Sequence, residues 1–172
     1  LPGYLLLGTE PWADGLQPTA FATLQRARFV GAISAYVSTP LLQTAQVLLP
    51  AAAFAETSGT FVNLEGRWQS FTGAATPPGV ARPAWKILRV LGNLLHCADF
   101  DYQSSEQVRE ELRSVIAAAA PGAAVSGFTA TAAPVAEVLR DVPMYQIDAL
   151  LRRAPSLQAT RLGQAGAAEY HP

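Results

Sequence analysis

The spacing of apolar and polar positions predicts strands in the first third of the chain and helices beyond it. Residues 4–8 (YLLLG) form a short apolar run that ends in Gly and meets the polar TEP at 9–11. This reads as a buried strand with a loop at its carboxyl end. Pro18 opens a predicted helix to about Arg28, with Phe21, Leu24 and Arg28 along one face and proline at the position where a missing N–H costs least. Residues 29–37 (FVGAISAYV) read as a second strand, Thr39-Pro40 as the start of a short helical turn, and residues 47–49 as a third strand stopped by Pro50. Strand, helix, strand, helix, strand predicts parallel pairing through right-handed crossovers. A parallel sheet needs cover on both faces and usually more than three strands. The expectation is therefore a partial sheet belonging to a longer protein, an expectation that the abrupt apolar start at Leu1 shares.

After Pro50 the pattern changes. Thr60, Val62 and Leu64 alternate with Phe61, Asn63 and Glu65 between Gly59 and Gly66, which predicts an irregular loop with short extended segments. The Ala/Pro/Gly stretch at 73–81 reads as a linker along the surface. Arg82-Pro83 then launches a helix to about Leu95, with Ile87, Leu88, Leu91, Leu94 and Leu95 as a wide apolar stripe. Ser104 with Gln107 has capping-box spacing, and the helix that follows carries Val108, Leu112, Val115 and Ala119 on one side until Pro121-Gly122. The remainder is rich in Ala, Gly and Pro. Only residues 142–154 (VPMYQIDALLRRA) read as structured, with Tyr145, Ile147, Leu150 and Leu151 to dock, and the last residues from Gly163 are expected to be mobile. The fold class is α/β, a partial parallel sheet with flanking helices plus a C-terminal helical or irregular extension. Its divisions are 1–72 for the sheet with its Gly-rich loop, 73–120 for the linker and two packing helices, and 121–172 for the extension.

Composition narrows the function. Half of the 172 residues are hydrophobic and 15% are charged, as in an ordinary globular protein. The longest apolar stretches are broken by proline and fall short of a spanning helix, so no direct membrane insertion is expected. Twelve basic against thirteen acidic residues leave a formal charge of −1, and no basic run exceeds Arg152-Arg153. That excludes the electrostatic footprint of a nucleic-acid binder. The single Cys97 excludes an internal disulfide and a complete iron–sulfur site within the chain.

Candidate chemistry is sparse. The loops after the three strands, at Gly8, Thr9 and Glu10, at Ser38 and Thr39, and from Pro50 onward, share the edge where open parallel sheets bind nucleotides and cofactors. A pocket built from Gly8, Glu10, Thr39 and the Gly59-Thr60 loop competes there with plain turn chemistry. His96, Cys97, Asp99 and Asp101 include potential metal ligands, but HCADFD runs off a helix end with no second Cys or His to complete a tetrahedral site. Glu56 and Glu65 read as structural carboxylates rather than an acid/base pair, with Arg67 as an ion-pair partner. Trp68, Trp85, Phe54, Phe61 and Phe71 read as packing that fixes the long loop onto the sheet. The tail pair Arg152-Arg153 is the expected subunit contact.

The stretch VLLPAAAFAETSGTFVNLEGRWQSF, followed by RPAWKILRVLGNLL, and the tail YQIDALLRRAP together resemble the C-terminal region of one family. It is the G subunit of the bacterial proton-pumping NADH-quinone oxidoreductase, respiratory complex I, within the molybdopterin oxidoreductase superfamily. The LP, F.E, GT, N and EGR skeleton is shared with formate dehydrogenases and nitrate reductases, so alone it marks only the superfamily.

The resemblance implies a molybdopterin-oxidoreductase-like domain without molybdenum, in which Gly8, Glu10, Thr39, Thr60 and Asn63 face a vestigial pterin cleft and no residue is catalytic or binds metal. It implies no cofactor in this chain, while the parent subunit carries 4Fe-4S and 2Fe-2S clusters. The parent enzyme passes electrons from NADH through FMN and those clusters to quinone, coupled to proton translocation. Partners are the other peripheral-arm subunits, at the cytoplasmic face of the bacterial inner membrane, and the chain itself is structural. The alternative is the cofactor-binding end of a true molybdopterin oxidoreductase, in which the Gly59 loop grips a pterin nucleotide.

Overall fold

Strands β1 (Gly3–Leu7), β2 (Phe29–Ser34) and β3 (Val47–Pro50) lie side by side in sequence order and are all parallel in the computed structural model, which describes residues 3–14, 19–118 and 144–164. The register sets Gly3 opposite Phe29 and Leu7 opposite Ile33, then Gly31 opposite Val47 and Ser34 opposite Pro50. Short helices α1 (Pro11–Asp14) and α2 (Ala20–Gln25) occupy the first connection, and α3 (Thr39–Thr44) occupies the second. The core is the apolar set Leu6, Leu24, Val30, Ala32 and Leu41, in which Val30 and Leu41 are fully buried. Alternation along β1 buries Leu6 and leaves Leu5 and Leu7 half exposed on the other face.

Two boundaries move inward from the sequence expectation. β2 ends at Ser34 rather than Val37, because the Ser34 hydroxyl accepts the Tyr36 N–H at 3.2 Å and donates to the Tyr36 carbonyl at 2.8 Å, a turn that competes with the ladder. The helix read from Pro18 to Arg28 is described from Ala20 to Gln25, with Pro18 outside the described residues.

The segment expected as an irregular loop is an antiparallel hairpin, β4 (Gly59–Val62) with β5 (Trp68–Phe71). Asn63 makes the reversal. Its side-chain oxygen accepts the backbone N–H groups of Glu65 at 3.0 Å and Arg67 at 2.9 Å, while Gly66 takes the left-handed φ of 76° that a tight return requires. The Phe61 and Phe71 rings stack across the pair at 5.3 Å.

The stretch expected as a surface linker is tied down at both ends. Ala74 and Ala75 donate to the Ala55 carbonyl, and Arg82 exchanges backbone hydrogen bonds with Pro50 and Ala52, forming a parallel bridge with Ala51 that prolongs β3 and buries Ala81. Helix α4 (Ala84–Leu94) follows. Its stripe is only partly used, since Leu94 and Leu95 stay exposed, while Gly92 is buried against the Phe100 ring.

The turn from α4 to α5 (Ser105–Ala118) uses positive φ at His96 and Asp99. The capping box is a variant of the expected one. Gln107 donates its N–H to the Ser104 hydroxyl at 3.4 Å, but its side chain accepts from Gln103, one residue before the cap. Among the described residues, no helix is long and apolar enough to cross a membrane.

Candidate functional site

The parallel strands place the loops after β1 and β2 at one edge of the sheet, as the sequence predicts. Gly8 continues the ladder by donating to the Ile33 carbonyl at 2.9 Å and then turns the chain with a φ of 59°. That turn sends Glu10 inward, where it is 5% exposed, an expensive position for a carboxylate without partners. Thr39 lies at the start of α3 and is exposed.

The partners of Glu10 come from the other end of the chain. Arg153 donates from Nη2 to both Glu10 carboxylate oxygens at 2.9 Å, and Arg152 Nη1 lies 3.2 Å from Oε2. Arg152 also pairs with Asp14, whose other oxygen accepts the Glu10 backbone N–H. The Arg153 guanidinium sits over the Tyr36 ring at 4.8 Å and donates to the Ala149 carbonyl at 3.0 Å. Two carboxylates and two guanidinium groups close a charge-balanced cluster on an aromatic face.

Arg152 and Arg153, expected as a subunit contact, are thus spent inside the chain. Ile147, Leu150 and Leu151, expected to dock, remain between 37% and 54% exposed. The segment docks by charge because its short 3-10 turn (Leu151–Arg153) and helix α6 (Pro155–Gln158) present the two arginines together, not an apolar stripe. Sequence reasoning missed Asp14 and Tyr36 altogether. The available signal was a loop Glu and a tail Arg pair, and the opposite charge at helical spacing beside that pair, Asp148 four residues before Arg152, pointed to a local contact and not to Glu10.

Thr60 and Asn63 belong to the hairpin. The Thr60 hydroxyl hydrogen-bonds Ser70 across the strands at 2.9 Å, and Arg109 of α5 donates to the same Ser70 oxygen at 2.9 Å. Ser58 is bonded to Ser105 at 2.9 Å, and the Arg113 guanidinium lies 5.1 Å from the Trp68 ring centre. The aromatic loop is therefore fixed to α5, not to the sheet as expected, and Phe54 and Phe61 remain about two-thirds exposed. Thr60, Trp68, Trp85 and Leu112 line a groove of about 210 Å³ between hairpin and helix. A wider, open depression of about 480 Å³ adjoins it, bordered by Glu56, Arg82, Lys86 and Glu106.

The remaining candidates have structural partners. Glu56 accepts the Ala53 N–H at 2.9 Å and closes its own 3-10 turn (Phe54–Glu56), while Glu65 faces Arg67 at 4.0 Å with both side chains in solvent. Cys97 is exposed, and among the described residues no cluster of His, Cys, Asp and Glu could hold a metal. Glu106 is held below its ordinary 4.5 chiefly by the hydrogen bond from its own backbone N–H, then by the Ser104 hydroxyl, with Ser105 and Arg109 adding to it against a weaker opposing effect of burial. Tyr102 is raised above 10.0, first because its hydroxyl donates to Glu111 at 2.6 Å, then by burial and the nearby charges of Glu111 and Asp99.

These features define an open parallel α/β sheet followed by a hairpin and helices, with Glu10 at the loop edge of the sheet paired to arginines of the same chain. Residues 2–94 match the molybdopterin oxidoreductase family, and the chain belongs to it. It is 46% identical over 71 residues, 41% of its length, to the mitochondrial NADH-ubiquinone oxidoreductase 78 kDa subunit of Candida albicans. Against the corresponding Neurospora crassa subunit it is 31% identical over 132 residues, 67% of the chain. The F420-dependent formate dehydrogenase subunit alpha of Methanocaldococcus jannaschii is 41% identical over 78 residues, 45% of the chain. The alignments span 10%, 17% and 12% of those relatives' own lengths.

Proposed function

We propose that this chain is a structural region of the G-type subunit of an NADH-quinone oxidoreductase, respiratory complex I, and has no catalytic activity of its own. The observation that carries this reading is the engagement of Glu10. The buried carboxylate at the sheet's ligand edge is already bound by Arg153 and Arg152, so that edge does not fit a pterin dinucleotide as it stands. Gly8 and Thr39 then shape a turn and a helix start, and Thr60 and Asn63 build the hairpin, as remnants of a cofactor cleft. The likeness to two mitochondrial 78 kDa subunits supports the same assignment.

In this reading the parent enzyme moves electrons from NADH through FMN and iron–sulfur clusters to quinone, with proton translocation. The 4Fe-4S and 2Fe-2S clusters of the parent subunit are held by cysteines outside this chain. The region packs against the cluster-bearing part and the neighbouring peripheral-arm subunits, at the cytoplasmic face of the bacterial inner membrane. In this reading 1–72 is the sheet unit with its Gly-rich loop, 73–120 the linker and two packing helices, and 121–172 the C-terminal extension, whose described residues 144–164 bring Arg152 and Arg153 to Glu10.

A second reading rests on the likeness to the formate dehydrogenase subunit, together with the open depression beside the Gly59 hairpin. There the chain is the cofactor-binding end of a working molybdopterin oxidoreductase. Purification of the full-length parent from its native cells, with metal analysis and identification of co-purifying proteins, separates the two. Iron without molybdenum, alongside peripheral-arm subunits, is the expected result; stoichiometric molybdenum overturns it.

A further inference from the structure

We propose that residues 144–164 are an intramolecular ligand of the sheet edge, a strap whose two arginines occupy a site built for planar cations of the guanidinium and amidinium class. Arg153 is held as a bound ligand would be. A buried carboxylate accepts from its Nη2 through both oxygens and an aromatic ring lies against its face, while its Nη1 donates to the Ala149 carbonyl of the strap itself. Arg152 beside it bridges Glu10 to Asp14 with its side chain 11% exposed. Nη2 on the carboxylate, Nη1 on Ala149 and a flat face on Tyr36 are contacts that a planar, delocalised cation makes at once and a compact ammonium does not.

Hydrogen bonds within the strap set its docked shape. The Gln158 amide donates to the carbonyls of Tyr145 and Leu151 and accepts from Gln146, and Asp148 accepts the N–H groups of Leu150 and Leu151. These bonds present Arg152 and Arg153 side by side. The outward residues Met144, Ile147, Leu150 and Leu162 stay at least 45% exposed, so apolar burial contributes little to seating. Release therefore costs mainly the charge cluster, which makes the strap a separable element over an intact sheet.

The strap's contacts all lie within one chain and hold whatever the parent enzyme is. The test is amide hydrogen exchange on the 172-residue chain and on its R152A/R153A and R153K variants, with β2 amides as the control for folding. Exchange in 144–164 and 8–14 should rise by about 10- to 100-fold in R152A/R153A, the loss of charge-assisted hydrogen bonds, with β2 unchanged. R153K should fall in between. Adding methylguanidinium chloride to R152A/R153A should slow exchange at 8–14, while methylammonium chloride at equal concentration should not.

Unprotected 144–164 amides in the unmodified chain would overturn the strap, as would unchanged exchange in R152A/R153A. Equal effects of the two cations would overturn the ligand class. If R152A/R153A loses β2 protection, R153K carries the test, and unchanged exchange in that variant overturns the proposal.

Discussion

Gly92 of α4 packs against the Phe100 ring, so closely that an added methyl group would overlap the ring carbons. Two effects oppose each other in Gly92→Ala. Helix propensity favours Ala by about 1 kcal/mol. Overpacking against a ring fixed by the turn at His96 and Asp99 costs about 1–3 kcal/mol. The clash is the larger, so Gly92→Ala should lower stability by about 1–2 kcal/mol in urea denaturation. A variant as stable as the parent would show that Phe100 moves aside freely.

Asn63 provides a prediction that separates hairpin architecture from cofactor contact. Its side-chain oxygen accepts two backbone N–H groups, so Asn63→Ala should destabilise the hairpin by about 1–2 kcal/mol and raise amide exchange in β4 and β5 while β1–β3 are unchanged. Asn63→Asp keeps the acceptor and should retain most of the protection. If the two variants behave alike, the acceptor is not what holds the turn.

The first turn of α5 should respond to acid. The Glu106 carboxyl is lowered from its ordinary value, so the stability it adds is present above that value and is lost as pH falls through the folded-state value. Exchange at residues 104–107 should therefore rise on acidification below pH 4.5, and Glu106→Gln should flatten that dependence. A pH response that survives the substitution would assign it to another carboxylate.

At the alkaline end the sign reverses. Tyr102 is raised because its neutral hydroxyl donates to Glu111, so this contact is present below the ordinary phenol value and is lost as pH rises through the folded one. Phenolate absorbance should show one tyrosine titrating late, and Glu111→Gln should bring it back toward 10.0. A titration curve identical in the variant would remove Glu111 as the cause.

The parallel sheet was legible because its signals are local: apolar runs at β1, β2 and β3, each stopped by Gly, Ser or Pro, with helix-starting residues between them. Gly8 and Glu10 were placed at the right edge for the same reason. The hairpin was not read as one, since its register depends on Asn63 bonding to residues two and four positions onward, and alternation alone does not reveal a side chain acting as a turn. The partners of Glu10 were still less visible. Arg152 and Arg153 come from the far end of the chain, where neither periodicity nor spacing reaches. Their apolar neighbours drew attention as docking residues because hydrophobic patterning is what a single sequence displays best.

The order of strands in the sheet has a consequence for how the molecule is assembled in time. Because β1 pairs with β2 and β2 with β3, the core needs only contacts between segments close in sequence, with Gly3 against Phe29 and Gly31 against Val47. Such contacts close early at low entropic cost. The Glu10–Arg153 pair spans 143 positions and joins one of the first described residues to one of the last. During synthesis the sheet can be complete while Glu10 still waits for its arginines, and the newly made protein passes through an interval with that carboxylate unclaimed.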